Sequence, residues 1–249
     1  MNTYFNVPLE FDVEVVHRTI EEALKAGAKG YVCVMESNNL AVSQRDAQLM
    51  KIVNSALVNI CDGSNIAWLL GCIHKQPFRS YTGNEVFLHF ISQKKYTHYF
   101  LGNTRPVLDS LRENLAKTDP RIQSMVFCEL PFCKVEDFDY PRIAEAINAE
   151  APDMIWVSLG APKQENFMSA LCPYLKKGIL FGVGAAFNFN AHTGSVKRAP
   201  EWMRNLRLEW LYRAYEEPRK NVPRYWNFLR LLPGLAFREW RFKRAGSLD

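Results

Sequence analysis

The sequence predicts an α/β protein: a mostly parallel sheet with helices on both faces, followed by a helical C-terminal appendage. Three observations predict it. Short apolar runs alternate with segments of helical periodicity through about residue 190, those runs are continuous rather than alternating, and composition shifts sharply after residue 195. A strand that is apolar along its whole length is buried on both faces, which is the condition of a strand inside a parallel sheet covered by helices. The arrangement is Rossmann-like in architecture, and its domains are expected at 1–195 for the α/β unit and 196–249 for the appendage.

In chain order, VEVVHRTIEEALKAG (13–27) has apolar residues at three- and four-residue spacing and reads as a helix. GYVCVME (30–36) follows as a strand rich in β-branched and aromatic residues. SQRDAQLMKIVNSA (43–56) reads as a helix, and SALVNICDG (55–63) as a strand ending in Asp62 and Gly63, with a helix after it. The strand YTHYFLG (96–102) and the helix TRPVLDSLRENLAKT (104–118) form the next pair. SMVFCEL (124–130) and YPRIAEAINAEA (140–151) repeat the order. DMIWVSLG (153–160) is a strand that breaks at Gly160, with Lys163, Gln164 and Glu165 opening the next helix, and GILFGVGAAF (178–187) is the last strand. Repetition of strand, helix, strand implies right-handed crossovers and parallel pairing.

The chain of 249 residues is 48% hydrophobic and 23% charged, enough for one large core and too apolar for bulk disorder. Cysteines at 33, 61, 72, 128, 133 and 172 form no CxxC pair and no His/Cys cluster with metal-ligand spacing, so neither a disulfide framework nor a metal site is expected, and a reduced, intracellular setting fits. No basic segment with an apolar core opens the sequence, and no apolar run approaches ~18 residues, so no signal peptide or transmembrane span is expected. From residue 196 onward there are 13 Lys and Arg against 6 Asp and Glu, leaving 18 against 20 before it. The same tail holds four of the six tryptophans. Interleaved basic and aromatic residues suit an anionic surface with an apolar layer beneath, and nucleic acid is the alternative partner.

In open α/β sheets ligands bind beyond the carboxyl ends of the strands. Three such ends carry candidate residues. In GAPKQEN, Gly160 and Pro162 shape a turn while Lys163, Gln164 and Glu165 face the crevice; a solvated first turn is the plain alternative. In NICDGSNIAW, Asp62 is either a helix cap or a general base. In GVGAAFNFNAHTG, Gly182 and Gly184 permit close approach, and Asn188, Asn190, His192 and Thr193 supply hydrogen-bonding groups. No dinucleotide fingerprint and no phosphate-binding loop of the GxxxxGK[ST] type is present, so no cofactor is expected.

PDMIWVSLGAPKQENF, followed by GVGAAFNFNAHTGSVKRAPEWMRNLRLEWLYRAYEEPRKNVPRY, resembles the WecG/TagA/CpsF family of bacterial glycosyltransferases, glycosyltransferase family 26; CDGSNIAW and FLGN (100–103) support the match, which covers about residues 10–230. The resemblance implies inverting, metal-independent transfer of a sugar, commonly N-acetylmannosamine or its uronic acid, from a UDP donor to a polyprenyl-diphosphate-linked acceptor, in teichoic-acid-type or other cell-surface polysaccharide biosynthesis, at the inner face of the bacterial cell membrane. It implies that Asp62 is the base and that Gln164 lines the pocket. Arginines of the appendage, which include Arg198, Arg204 and Arg207, are implied to close over the diphosphate, and Arg213, Arg219 and Arg224 lie at the strongest match. Arg79 in RSYTGNE resembles a family arginine ahead of Gly-x-Asp, where this chain reads Gly83-Asn84-Glu85. After the first strand, relatives often show Thr-Pro-Asn or Asn-x-His, whereas this chain has Ser37, Asn38 and Asn39, which can hydrogen-bond a sugar or uracil. The donor sugar therefore stays open, as does self-assembly into a homo-oligomer. In 222–246, Trp226, Leu229, Leu232, Phe237 and Trp240 supply an apolar face ringed by Arg230, Arg238, Arg241, Lys243 and Arg244, and Pro233-Gly234 is expected to divide it into two short helices lying on anionic lipid.

Overall fold

The computed structural model describes residues 2–193 and 199–245. Arg198, the side chain of Arg244 and the boundary expected at 195/196 lie outside the described residues. Six strands form one parallel sheet: β3 (Lys29–Met35), β4 (Val58–Cys61), β5 (His98–Gly102), β6 (Val126–Cys128), β7 (Met154–Ser158) and β8 (Gly178–Gly182), ordered β4-β3-β8-β7-β5-β6. An N-terminal hairpin of β1 (Asn2–Tyr4) and β2 (Val7–Leu9), turning through Phe5 and Asn6 at positive φ, was not legible as strands because each is three residues long.

Each strand is shared between two cores. Tyr31, Cys33 and Met35 of β3 face one side, with Leu101, Val157 and Leu180 from neighbouring strands, while Val32, Val34, Phe100, Trp156 and Phe181 face the other. The first side is covered by α2 (Ser37–Ser43), α3 (Ala47–Asn54), α4 (Ser64–His74), α7 (Tyr140–Glu150) and α8 (Lys163–Leu171). The second is covered by α1 (Val13–Lys25), α5 (Gly83–Ser92), α6 (Arg105–Ala116) and α9 (Ala186–Ala191). Burial on both faces is the reason the runs are continuously apolar.

Two expectations are corrected. The apolar run 178–187 is not one strand: the chain turns at Gly184, φ 51°, and Ala186 and Phe187 belong to α9. The helix expected over 43–56 is confined to Ala47–Asn54, and Ser43 instead ends a separate helix, α2, capped by Glu36, which accepts Asn38 N at 2.9 Å and Asn39 N at 3.2 Å.

The appendage forms α10 (Glu201–Asn205), α11 (Glu209–Glu216) and α12 (Pro218–Ala245). Contrary to the expected break at Pro233-Gly234, α12 is one continuous helix of 28 residues containing both Pro223 and Pro233. Its packing overrides the propensity cost. Phe228 and Leu235 enter the first core against α2 and α4, and Glu239 is buried on the same side. Glu239 accepts the backbone N–H of Phe5 at 2.8 Å and pairs with His74 at 2.8 Å, while Lys243 donates to the Ile73 carbonyl at 2.6 Å. The N-terminal hairpin, the end of α4 and the last turns of α12 are thus joined at one carboxylate. A second stripe of α12, Val222, Trp226, Leu229, Pro233, Phe237 and Trp240, is turned roughly 130° from the buried one and is exposed.

Glu239→Ala leaves the Phe5 N–H and His74 without their partner and is expected to cost about 2 kcal/mol by urea denaturation, with faster proteolysis near residue 217. Phe237→Ala, on the exposed stripe, should change stability by less than about 0.5 kcal/mol.

Candidate active site

Because all six strands are parallel, their carboxyl ends share one edge, and Glu36, Asp62, Gly102, Leu159 and Val183 leave the sheet there. The chain exits β3 toward one face, into α2, and exits β8 toward the other, into α9. A crevice opens where adjacent strands part in this way.

Asp62 reaches that crevice from β4. It does not cap its own helix: the cap position of α4 is Gly63, and no side chain caps it. Instead Asp62 Oδ1 accepts the N–H of Gly83, 3.0 Å away, at the start of α5. The α5 N-terminus lies across the ends of β3 and β8, since a Cβ on Gly83 would stand 3.3 Å from Val34 Cγ1 and 3.5 Å from the Val183 carbonyl oxygen. The helix dipole and this N–H favour the carboxylate, and Arg213 does too. Desolvation nevertheless wins, helped by Glu209 and Glu36, and pushes Asp62 up to about 6.

The tail supplies the opposing charge. Arg213 on α11 pairs with Glu209 at 3.2 Å and sits over the ring of Phe189 in α9. Burial works against its charge, but Glu209 and Asp62 outweigh this and hold the guanidinium protonated. Asn221 of α12 donates to the Arg213 carbonyl at 2.8 Å, fixing α11 against α12. Arg224 reaches to 3.5 Å from the Ala161 carbonyl, beside the turn at Gly160, whose φ of 74° requires a residue without a Cβ penalty. Tyr225 stands among Arg213, Glu36, Glu209 and Arg224; burial and the two acids outweigh the arginines and push its hydroxyl up to about 12.

Gln164 is buried at the base, donating from Nε2 to the Gly182 carbonyl at 3.0 Å and to Glu165 Oε1 at 3.1 Å. A Cβ at Gly182 would stand 3.0 Å from that nitrogen, so this glycine makes room for Gln164 rather than for a ligand. On the far side of β8, Asn103 donates to Asn188 Oδ1 and to Ser158 Oγ, and Ser158 donates to the Gly184 carbonyl at 2.7 Å.

The candidate residues therefore divide. Asp62, Arg213, Arg224, Gln164, Gly184, Asn188 and the α2 start at Ser37 and Asn38 gather at the shared edge. Lys163 turns aside: Nζ donates to the Cys133 carbonyl and lies over the rings of Phe132 and Phe138. Glu165 and Asn39 are wholly buried beneath the crevice, hydrogen-bonded to each other at 2.9 Å, and burial pushes Glu165 up to about 7. Arg79 is exposed, 3.8 Å from Glu85, and Arg219 is exposed on the first turn of α12. Sequence reasoning missed Glu36, Glu209 and Tyr225. Glu36 could have been found as the acid closing the run VCVM; the other two lie in a helical tail whose facing side is set by docking.

Asp62 and Arg213 thus lie within electrostatic reach of each other at the carboxyl edge of a parallel sheet, and comparison with known proteins gives the class of the chain as a glycosyltransferase. Residues 3–246 match the family described as glycosyl transferase WecG/TagA/CpsF, and the chain belongs to that family. Among similar proteins are two named N-acetylglucosaminyldiphosphoundecaprenol N-acetyl-beta-D-mannosaminyltransferase. One, from Bacillus spizizenii (strain ATCC 23059 / NRRL B-14472 / W23), is 27% identical over 182 residues, covering 70% of this chain and 68% of the relative. The other, from Bacillus subtilis (strain 168), is 26% identical over 189 residues, covering 73% and 71%.

Because Asp62 binds its proton more tightly in the folded chain (about 6 against an ordinary 3.8), the stability it permits is full below about pH 4 and falls as pH rises through about 6. Asp62→Asn should be about 1–3 kcal/mol more stable than wild type at pH 8, with the difference gone near pH 3.5, in denaturation series across pH.

Proposed function

We propose that the protein is an inverting glycosyltransferase that moves an N-acetylmannosamine-type sugar from UDP to a polyprenyl-diphosphate-linked sugar, working at an anionic membrane face without a resident metal ion. The observation that carries this reading is that Asp62 meets the start of α5 at the shared strand edge while α11 docks Arg213 over Phe189 of α9, within electrostatic reach of that carboxylate, one able to take a proton and the other to hold a phosphate oxygen. The acceptor class and the transferred sugar are supported by the names of the two Bacillus relatives.

In the proposed reaction the acceptor hydroxyl gives its proton to an Asp62 carboxylate oxygen as its oxygen attacks the anomeric carbon. The bond from that carbon to the diphosphate breaks, and its electron pair leaves with UDP. A carboxyl near 6 is ionised at neutral pH yet basic enough to accept a proton in the transition state. Attack from the face opposite the diphosphate inverts the anomeric centre. Charge growing on the leaving diphosphate meets Arg213 and Arg224, whose planar donors suit phosphate oxygens, with Arg219 one turn away for recruitment. Among the described residues no helix is long and apolar enough to cross a membrane. The exposed stripe of α12 from Val222 to Trp240, flanked by Arg219, Arg230 and Arg241, fits an interfacial helix that holds the site beside a lipid-linked acceptor.

Asp62→Asn is expected to lower kcat at least a thousandfold while UDP affinity by calorimetry stays within about threefold, because the base acts in the transition state. Arg213→Ala and Arg224→Ala should each weaken UDP about tenfold. Wild-type turnover by Asp62→Asn, or steeply salt-dependent oligonucleotide binding with no response to UDP, would overturn the reading. Trp226→Ser with Phe237→Ser should reduce association with vesicles containing anionic lipid at least tenfold while leaving UDP affinity intact; undiminished vesicle binding would remove the interfacial role of α12.

A further inference from the structure

Beneath the crevice a single carboxylate oxygen joins three elements. Glu165 Oε1, on the first turn of α8, accepts Asn39 Nδ2 of α2 at 2.9 Å and Gln164 Nε2 at 3.1 Å; the same Gln164 nitrogen donates to the Gly182 carbonyl at the end of β8. Both N–H bonds of the Gln164 amide are therefore used below the site. Turning the amide over would set its oxygen against two acceptors, Glu165 Oε1 and Gly182 O, so only one orientation is open to it. In that orientation Gln164 Oε1 has no protein partner and lies 3.7 Å from where a Cβ on Gly184 would stand. Asn39 Oδ1, on the other arm of the cluster, also has no protein partner. A buried amide oxygen left unpaired costs free energy unless a ligand or water completes it.

We propose that Glu165 is a positioning residue for the transfer reaction: by fixing the amides of Gln164 and Asn39 with their nitrogens downward, it presents Gln164 Oε1 as an acceptor to an N–H or O–H group of the sugar nucleotide. This rests on the glycosyltransferase reading for the identity of the ligand, though not for the orientation itself. Glu165 is fully buried and its Oε2, too, has no protein partner; the effect proposed here is that of Oε1, which passes through its two neighbours. Its Oε1 accepts both amides in either protonation state, so neutral glutamine at this position can do the same work.

The test compares Glu165→Gln with Glu165→Met, which keeps the bulk and removes the acceptor. Two readouts are used: the side-chain NH2 signals of Gln164, assigned by their loss in Gln164→Leu, and steady-state kinetics with UDP-N-acetylmannosamine as donor. In wild type and Glu165→Gln the NH2 pair should be resolved and slow to exchange, with the donor KM within threefold of each other. In Glu165→Met the pair should move toward free-amide shifts, and KM should rise about tenfold while kcat changes less than threefold. A folded Glu165→Met with unchanged NH2 signals and KM overturns the proposal. So does a folded Glu165→Gln that loses turnover, since Glu165 would then be exchanging a proton in the chemistry itself. If Glu165→Met does not fold, Glu165→Gln alone decides, and it must keep both the NH2 pair and KM. If wild type shows no transfer from this donor, the N-acetylmannosamine reading fails, and the NH2 signals still decide whether Glu165 orients Gln164.

Discussion

Burial of every sheet strand on both faces is the constraint from which the rest follows. A strand such as β7, with Ile155 and Val157 in one core and Trp156 in the other, has no side on which to carry polar chemistry. A polar side chain within a strand, such as Asn59 of β4, is buried and spent on backbone carbonyls, so polar groups that can meet a ligand collect where the strands end, and parallel pairing sends all the carboxyl ends to one edge. That edge also collects helix N-termini, so its N–H groups, like that of Gly83, are available to carboxylates and to ligands alike.

The same concentration creates an electrostatic problem. Glu36 and Glu209 raise the affinity of Asp62 for a proton, and Glu36 does the same to Glu165, in surroundings that solvate ions poorly. Glu36 is stabilised by two backbone N–H groups of α2, and Glu165 by two amides. Asp62 has one N–H and the field of Arg213, which is too little to restore an ordinary carboxylate. The result is a basic carboxylate held beside a permanent cation, an arrangement that stores free energy at the site rather than in the fold.

That cation comes from residues more than 150 positions away in the chain, so the site depends on how α11 and α12 dock. Two kinds of contact fix them. Phe228 and Leu235 add apolar area to the core, and Glu239 ties α12 to the N-terminal hairpin and to His74. The helix consequently presents Arg224 toward the Gly160 turn while its second apolar stripe is turned outward. One helix therefore links the diphosphate side of the proposed reaction to the surface proposed to meet lipid.

Local pattern alone determined the sheet class, the six strands, most of the covering helices and the candidate positions Asp62 and Gln164, because continuous apolar runs ending in Gly or Asp are properties of neighbours in sequence. Short elements escaped it, as in β1, β2 and α2, where few residues carry the period. Tertiary structure alone decided direction. Asp62 turned to the start of α5 instead of capping α4, Lys163 left the crevice for Cys133 and two phenylalanine rings, and Glu165 sank beneath Gln164. The proline pair in α12 lost to packing on α2 and α4. In each case a contact between segments far apart in the chain outweighed a local preference worth at most a few kcal/mol, and such contacts are not written in any single stretch of sequence.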